Sequence, residues 1–218
     1  MQKNKIAYFI TGTDTDVGKT YIASALVRYF VQQGQTAVGM KPIAAGCEKI
    51  NGALRNADVS ALLAASNLAA RLEDVNPYAF EPAIAPHIAA EQAGVTVSLS
   101  KIKHAFDALQ SQADAVIVEG AGGFRVPINR EQTMADLAVQ LNLPVIMVVG
   151  VRLGCINHAL MTAGSIKAAG LDLVGWVANR IEPDMPALEE NVQTLKAMIK
   201  APCIADVNWG AVPKFSGI

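Results

Sequence analysis

Residues 11–20 have the types and spacing of a phosphate-binding loop. They read Thr-Gly-Thr-Asp-Thr-Asp-Val-Gly-Lys-Thr and lie between a short apolar run and a segment with apolar residues at helical spacing. A loop that joins a strand to a helix points backbone N–H groups of the helix N-terminus at a bound phosphate. Lys19 would reach the outer phosphates of a nucleotide, and the Thr20 hydroxyl would bind Mg²⁺.

The spacing of the glycines in this loop departs from the usual motif. Five residues separate Gly12 from Gly18, where the usual motif has four. The alternative interpretation is a chance Gly-Lys-Thr in a loop without phosphate chemistry. The expected strand before the motif and helix after it favour a variant phosphate-binding loop.

Two carboxylates are candidates for holding Mg²⁺, which proteins bind through one or two carboxylates together with phosphate and water. Glu119 follows the apolar run 115–118 and precedes Gly120-Ala121-Gly122-Gly123, a stretch whose backbone can approach a phosphate closely. Asp58 begins a stretch with helical spacing. From its position alone, Asp58 is equally explained as a residue that favours a helix start.

Lys41 follows the second apolar run and precedes Pro42. Its ammonium group would emerge at the same edge of the sheet as the phosphate-binding loop and could stabilise a phosphoryl group during transfer. A lysine that leaves the core for solvent is the other explanation.

A second strand-to-helix turn is predicted at residues 150–158. Its free N–H groups would form another anion site, at which the carboxylate of a substrate could bind. Cys155 within it is interpreted as a small buried hydrophobe. The histidines lack the spacing of metal ligands and are interpreted as surface or packing residues; they are His87, His104 and His158.

Short apolar runs alternate with segments of helical period along the chain, a pattern typical of an α/β fold with a parallel sheet. We predict an α/β fold like that of the P-loop NTPases, with a mainly parallel central sheet flanked by helices, in a single domain over residues 1–218. The predicted strands are 6–11, 36–41, 115–119, 144–150 and 173–179, with a last one near Cys203. The predicted helices follow the phosphate-binding loop as far as Gly34 and span 101–112, 157–169 and 186–199. Residues 42–56 are predicted to be a loop near the site.

Composition limits the class of ligand and the compartment. The formal net charge is −1, so there is no general attraction to nucleic acid or to anionic lipid, and we expect small-molecule partners. No apolar run approaches the roughly 20 residues of a membrane span. The odd number of cysteines, none at C-x-x-C spacing, favours a reducing cytoplasm.

Five segments together resemble dethiobiotin synthetase, and their order and spacing extend through most of the chain. The loop combined with Gly-Cys-Ile-Asn-His-Ala is highly specific to that family. The segments are residues 12–20, Lys41-Pro42, residues 119–123, residues 154–159 and Ala178-Asn179.

The resemblance implies a homodimeric, Mg²⁺-dependent ligase that makes dethiobiotin from 7,8-diaminononanoate, CO₂ and ATP, a step of biotin synthesis. A substrate amine would capture CO₂ as a carbamate, and ATP would phosphorylate this carbamate. The second amine would then attack the mixed anhydride and expel phosphate.

The resemblance also implies roles for individual residues. Lys19 and Lys41 would contact the carbamate and the γ-phosphate, and Thr11 the carbamate. Thr20, Asp58 and Glu119 would bind Mg²⁺. Gly154, Cys155 and Asn157 of the neighbouring subunit would hold the carboxylate of the diamine, and Asn179 would contact adenine. The full set expected to bind the nucleotide and its metal is Asp16, Val17, Gly18, Lys19, Thr20, Tyr21, Asp58, Glu119, Gly120, Ala121, Gly122, Asn179 and Arg180.

Two positions depart from the family pattern. Ala45 stands where the family usually has a serine that contacts substrate, so one hydrogen bond is missing or replaced. Asn208 stands where the family commonly has a proline that frames the nucleotide base, which affects the expected preference for ATP.

Three other functions fit part of the pattern. A switch ATPase of the chromosome-partitioning type shares the sheet, but Asp14 occupies the position of its signature lysine and no basic surface is expected. A cobyrinate-type amidoligase would need a glutaminase domain, which we do not expect within a chain that ends at Ile218. An inactive nucleotide-binding subunit would not need Lys19, Thr20, Lys41 and Glu119 together.

Overall fold

The computed structural model describes residues 5–218. This part of the chain contains ten strands and eight helices. The strands are β1 (Ile6–Gly12), β2 (Ala37–Met40), β3 (Ile43–Ala44), β4 (Glu48–Ile50), β5 (Ala53–Arg55), β6 (Tyr78–Ala79), β7 (Ala115–Gly123), β8 (Val145–Gly150), β9 (Leu173–Asn179) and β10 (Cys203–Val207). The helices are α1 (Lys19–Gln32), α2 (Ala57–Ala65), α3 (Leu72–Val75), α4 (Pro86–Gln92), α5 (Leu99–Gln112), α6 (Met134–Leu141), α7 (Cys155–Ala168) and α8 (Leu188–Met198).

Six strands form one parallel sheet in the order β10-β9-β8-β1-β7-β2. All six predicted strands lie in this sheet, so the predicted α/β class and parallel sheet are confirmed. Strand β7 extends to Gly123 and does not end at Glu119 as predicted. Its register with β1 shifts between the pairs Ile10–Glu119 and Gly12–Gly123, so β7 bulges next to the loop.

Alternate residues of each strand face two separate apolar layers, as a sheet covered on both sides requires. On β1, Phe9 packs in one layer and Ile10 in the other. Helix α1 covers the Ile10 side through Ile22, Leu26 and Phe30 at helical spacing. Helices α5, α6, α7 and α8 cover the Phe9 side. The helices therefore hold a rigid sheet whose carboxyl edge is free for the site.

The predicted helices are present, with ends that shift by up to two residues. Helix α5 begins at Leu99, because Ser98 and not Ser100 accepts the backbone N–H of Lys101. Helix α7 begins at Cys155, directly after Gly154 at φ 91°. Helix α6 was missed, although Thr133 and Asp136 form a capping box at its start.

The prediction of a loop over residues 42–56 is partly wrong. The segment contains β3, which pairs with β6, and the antiparallel hairpin β4–β5. Asn51 and Gly52 join the hairpin with φ of 50° and 81°, the left-handed values that a tight two-residue turn needs. Strands of two or three residues are too short to show an alternating pattern, so the sequence reading missed them.

Within residues 5–218, no helix is both long enough and apolar enough to cross a bilayer. The cysteines at positions 47, 155 and 203 are all free thiols.

Close contact between β2 and α2 supplies a test of this packing. A Cβ atom at Gly39 would lie 2.7 Å from Cδ2 of Leu62, a side chain with no exposed surface. We expect Gly39→Ala to lower the free energy of unfolding by about 1–3 kcal/mol through overpacking, measured by urea unfolding. Because the clash is with Leu62, the double variant Gly39→Ala/Leu62→Ala should lose less than the sum of the two single variants. Additive losses would contradict this packing.

Candidate functional site

A cavity of about 940 Å³ lies at the carboxyl edge of the sheet, beside the phosphate-binding loop. Parallel strands bring their carboxyl ends to one edge, so β1, β2 and β7 deliver the residues that follow them to the same place. The lining residues are Thr15, Asp16, Gly18, Lys19, Thr20, Tyr21, Lys41, Ile43, Ala45, Asp58, Ala83, Ile84, Ala85, Pro86, Glu119, Ala121, Gly122 and Val126.

The loop between β1 and α1 has the backbone shape that its variant spacing requires. Asp16 and Gly18 have φ of 57° and 86°. A Cβ atom at Gly18 would lie 2.2 Å from Nδ2 of Asn179, so only glycine fits there. The ammonium of Lys19 donates to the backbone oxygen of Asp14 at 2.7 Å. Lys19 is thus held over the loop, at the amino end of α1.

Lys41, Asp58 and Glu119 form one charge cluster, in which Lys41 and Glu119 are buried and Asp58 is partly exposed. Nζ of Lys41 lies 2.6 Å from Oε1 of Glu119 and 2.8 Å from Oδ2 of Asp58. The Thr20 hydroxyl donates to the same Oε1 at 2.7 Å. Lys41 and Glu119 are 5% and 1% exposed, which excludes the solvent-facing explanation of Lys41. Asn56 caps α2 by accepting the N–H of Asp58, so Asp58 is not the cap and its carboxylate is free to bind Lys41.

Burial and charge act in opposite directions on these groups. Burial would lower the pKa of Lys41, but Glu119 and Asp58 outweigh it and raise that pKa. Burial would raise the pKa of Asp58, but the charge and hydrogen bond of Lys41 lower it. Burial, followed by the charge of Lys41, lowers the pKa of Lys19 to about 8. Lys41 is therefore a fixed cation, whereas the pKa of Lys19 is about 8.

The donor set of this cluster fits the predicted Mg²⁺. Oε2 of Glu119 is buried and has no hydrogen-bond partner among residues 5–218. A hydroxyl and two carboxylates, completed by phosphate and water, are the oxygen ligands that Mg²⁺ prefers. Over the same residues there is no group of three His, Cys, Asp or Glu that could hold a metal by itself. The cluster thus fits a metal that arrives with a nucleotide.

Several predicted site residues are not among those that line the cavity. Thr11 is buried at the end of β1, and Gly120 lies within β7. The side chain of Val17 packs in the core, while its backbone oxygen accepts Nδ2 of Asn179 at 2.9 Å. The guanidinium of Arg180 is bound to Asp206 and Glu189, which ties β9 to β10 and α8.

The turn that opens α7 does not line the cavity within this chain. Gly154 and Asn157 are exposed, and Cys155 is buried as expected of a small hydrophobe. The side chain of Leu153 before the turn is 88% exposed, and that of Met161 in the following helix is 67% exposed.

Part of the cavity wall was not predicted from the sequence. Residues 83–86, together with Ile43 and Val126, also line the cavity. Pro86 at the first position of α4 was the available signal, because proline favours helix starts. Ala45, which replaces the family's serine, is part of this wall.

Comparison with known proteins identifies the family. A family model described as an AAA domain matches residues 7–212. ATP-dependent dethiobiotin synthetase BioD of Aromatoleum aromaticum is 49% identical over 97% of this chain and 92% of its own. The protein of the same name from Cellvibrio japonicus is 51% identical over 98% of this chain and 91% of its own. This chain belongs to the dethiobiotin synthetase family. That membership confirms the resemblance and the predicted enzyme class, an ATP-dependent ligase that forms carbon-nitrogen bonds.

Solved structures share the fold of this dethiobiotin synthetase family member at low sequence identity. The cell division protein FtsY of Thermotoga maritima aligns over 100% of this chain and 67% of its own, with TM-score 0.55 and 15% identity. The MinC:MinD complex of Aquifex aeolicus aligns over 92% of this chain and 80% of its own, with TM-score 0.56 and 14% identity. These likenesses confirm the predicted P-loop NTPase-like fold and show the fold alone.

The lowered pKa of Lys19 predicts that nucleotide binding depends on pH. The charged ammonium binds phosphate, so MgADP affinity should fall by up to about tenfold for each pH unit above 8. Binding at pH 9 should take up close to one proton, because phosphate raises the pKa of Lys19 again. Calorimetry in buffers of different ionisation enthalpy measures this uptake.

Lys19→Arg supplies the control, since a guanidinium stays charged at pH 9. The variant should bind MgADP without the proton uptake. Equal uptake by the variant would show that another group titrates.

Proposed function

We propose that this chain closes the ureido ring of dethiobiotin from 7,8-diaminononanoate and CO₂, with Mg²⁺ and ATP, and releases ADP and phosphate. One observation carries the proposal. In a member of this family, the ion-paired cluster of Lys41, Glu119 and Asp58 meets Lys19 and Thr20 of the phosphate-binding loop in a single cavity. That arrangement suits transfer of a phosphoryl group to a small acidic acceptor.

Lys19 and Lys41 contribute by binding the reacting groups in place and by supplying positive charge. One amine of the diamine adds to CO₂ and loses a proton, which leaves a carbamate. A carbamate oxygen attacks the γ-phosphorus and ADP leaves; Lys19 and Lys41 neutralise charge that grows on the phosphoryl oxygens. The second amine attacks the carbonyl carbon of the mixed anhydride, loses a proton and expels phosphate. Buried Thr11, next to the loop, is assigned to orienting the carbamate.

Mg²⁺ would be held by Thr20, Glu119 and Asp58. When bound, it neutralises charge on the β- and γ-phosphates. The unpartnered Oε2 of Glu119 supports this assignment. The metal and Lys41 would share the carboxylates of Glu119 and Asp58, so we expect the ammonium to loosen at least one of its two ion pairs in the loaded site.

The remaining nucleotide contacts are assigned to the loop and its surroundings. The backbone of residues 16–21 would surround the phosphates, with the stretch Gly120-Ala121-Gly122 on the opposite side. Asn179 donates one N–H to Val17 and keeps its other N–H and its oxygen for the base. The Arg180 guanidinium is bound to two acids, so we assign the contact there to its backbone.

The diamine carboxylate is assigned to the exposed turn of Gly154, Cys155 and Asn157 in a homodimer. The turn does not line the cavity of its own chain, so it would serve the site of a second copy. Exposed Leu153 and Met161 beside it support an interface there, since apolar side chains of this kind are typical of contacts between subunits. We further propose that the chain is a single domain that acts in the cytoplasm on small molecules, without nucleic acid or membrane partners.

Lys41→Met tests the proposed function. With diamine, bicarbonate, Mg²⁺ and ATP, the wild-type protein should release phosphate only when the diamine is present and should form a product of dethiobiotin mass. Lys41→Met should lower this turnover by about a hundredfold or more, because a fixed positive charge is lost where negative charge grows. ATP hydrolysis that is indifferent to the diamine, without ring product, would contradict the proposal and favour a switch ATPase.

Lys103→Met is the matched control. Lys103 also pairs with a carboxylate, that of Asp107, but on an exposed face of α5. The control should keep full turnover, because exposed ion pairs contribute little to stability. Far-UV circular dichroism and thermal unfolding of Lys41→Met show whether that variant is folded.

A further inference from the structure

Arg152 lies outside the cavity lining but is bound to the phosphate-binding loop. It stands two residues after β8, and its guanidinium NH2 group pairs with Oδ2 of Asp14. The other carboxylate oxygen of Asp14 accepts the backbone N–H of Thr15 at 2.7 Å. Both oxygens of Asp14 are thus engaged, and its charge is met by Arg152.

Asp14 is the residue through which Arg152 reaches the site. The backbone oxygen of Asp14 accepts the ammonium of Lys19, the group that has to reach phosphate. The neighbouring Thr13 donates its N–H to Val148 of β8 at 3.0 Å, and Val17 accepts Nδ2 of Asn179 from β9. Three tethers therefore hold the loop against the β8–β9 side of the sheet. Arg152 supplies the only one of the three that is an ion pair.

Charge gives this tether a second effect. Asp14 and Asp16 place two carboxylates on a loop that receives the phosphates of a nucleotide. Without a cation beside it, Asp14 would repel those phosphates at short range. The ion pair with Arg152 offsets the charge of Asp14 in this loop.

We infer that Arg152 is a positioning residue for the nucleotide: it neutralises Asp14 and fixes the loop that holds Lys19. The inference rests on the proposed function only in taking a nucleotide as the ligand. Because Arg152 touches no reacting atom, its loss affects binding more than turnover.

Calorimetric titration with MgADP tests the inference. Arg152→Gln should weaken binding by about tenfold, because the carboxylate of Asp14, next to the cavity residue Thr15, then has lost its cation and the loop has lost one of its three tethers. Arg152→Lys should bind nearly as well as the wild type. The double variant Arg152→Gln/Asp14→Asn should recover most of the loss, since the repelling charge is gone.

The outcomes separate the inference from the proposed function. If wild-type protein does not bind MgADP, the proposed function fails. If wild-type protein binds and Arg152→Gln binds equally well, the inference is wrong. A double variant as weak as Arg152→Gln also overturns it, because a merely structural role would not be rescued by removing Asp14. In the ligase assay, Arg152→Gln should raise the KM for ATP and leave kcat within about twofold.

Discussion

The site depends on one buried cation, the ammonium of Lys41 between Glu119 and Asp58. Without it, the carboxylates of Glu119 and Asp58 would lie close together with no cation to offset their repulsion. Removing one member of a buried pair costs about 3–5 kcal/mol, because the remaining charge is left without compensation. Lys41 therefore lowers the pKa of Asp58 and offsets the charge of Glu119 before any ligand arrives, and carboxylate oxygens are what a magnesium nucleotide requires.

The sheet supplies the positions for this charge cluster. Strands β1, β2 and β7 are neighbours, so the loop after β1, Lys41 after β2 and Glu119 in β7 meet at one edge without long connections. The bulge in β7 lies between Glu119 and Gly123, in the part of the strand that lines the cavity. On the other side of β1, strands β8 and β9 hold the loop through Val148, Arg152 and Asn179. One half of the sheet thus carries the charges and the other half fixes the loop.

Sequence reasoning succeeded where local pattern and topology coincide. Lys41 and Glu119 each follow an apolar run, and parallel strands end at one edge, so their approach could be predicted. Asp58 needed the family resemblance, because its position also fits a helix start. The hairpin β4–β5 and the wall at residues 83–86 were missed, since their strands and turns are too short to show a period. The pairing of Asp14 with Arg152 joins residues 138 positions apart, and no local pattern indicates such a contact.

The role of Lys41, Glu119 and Thr20 can be tested by a crystal structure with Mg²⁺ and a non-hydrolysable ATP analogue. We expect Mg²⁺ to lie at about 2.0–2.1 Å from the Thr20 hydroxyl and from a Glu119 carboxylate oxygen. We also expect Nζ of Lys41 to give up at least one of its two ion pairs and to lie within hydrogen-bond distance of the γ-phosphate. The proposed metal site is wrong if Mg²⁺ binds without Glu119. The proposed role of Lys41 is wrong if its ammonium stays between both carboxylates and out of reach of the γ-phosphate.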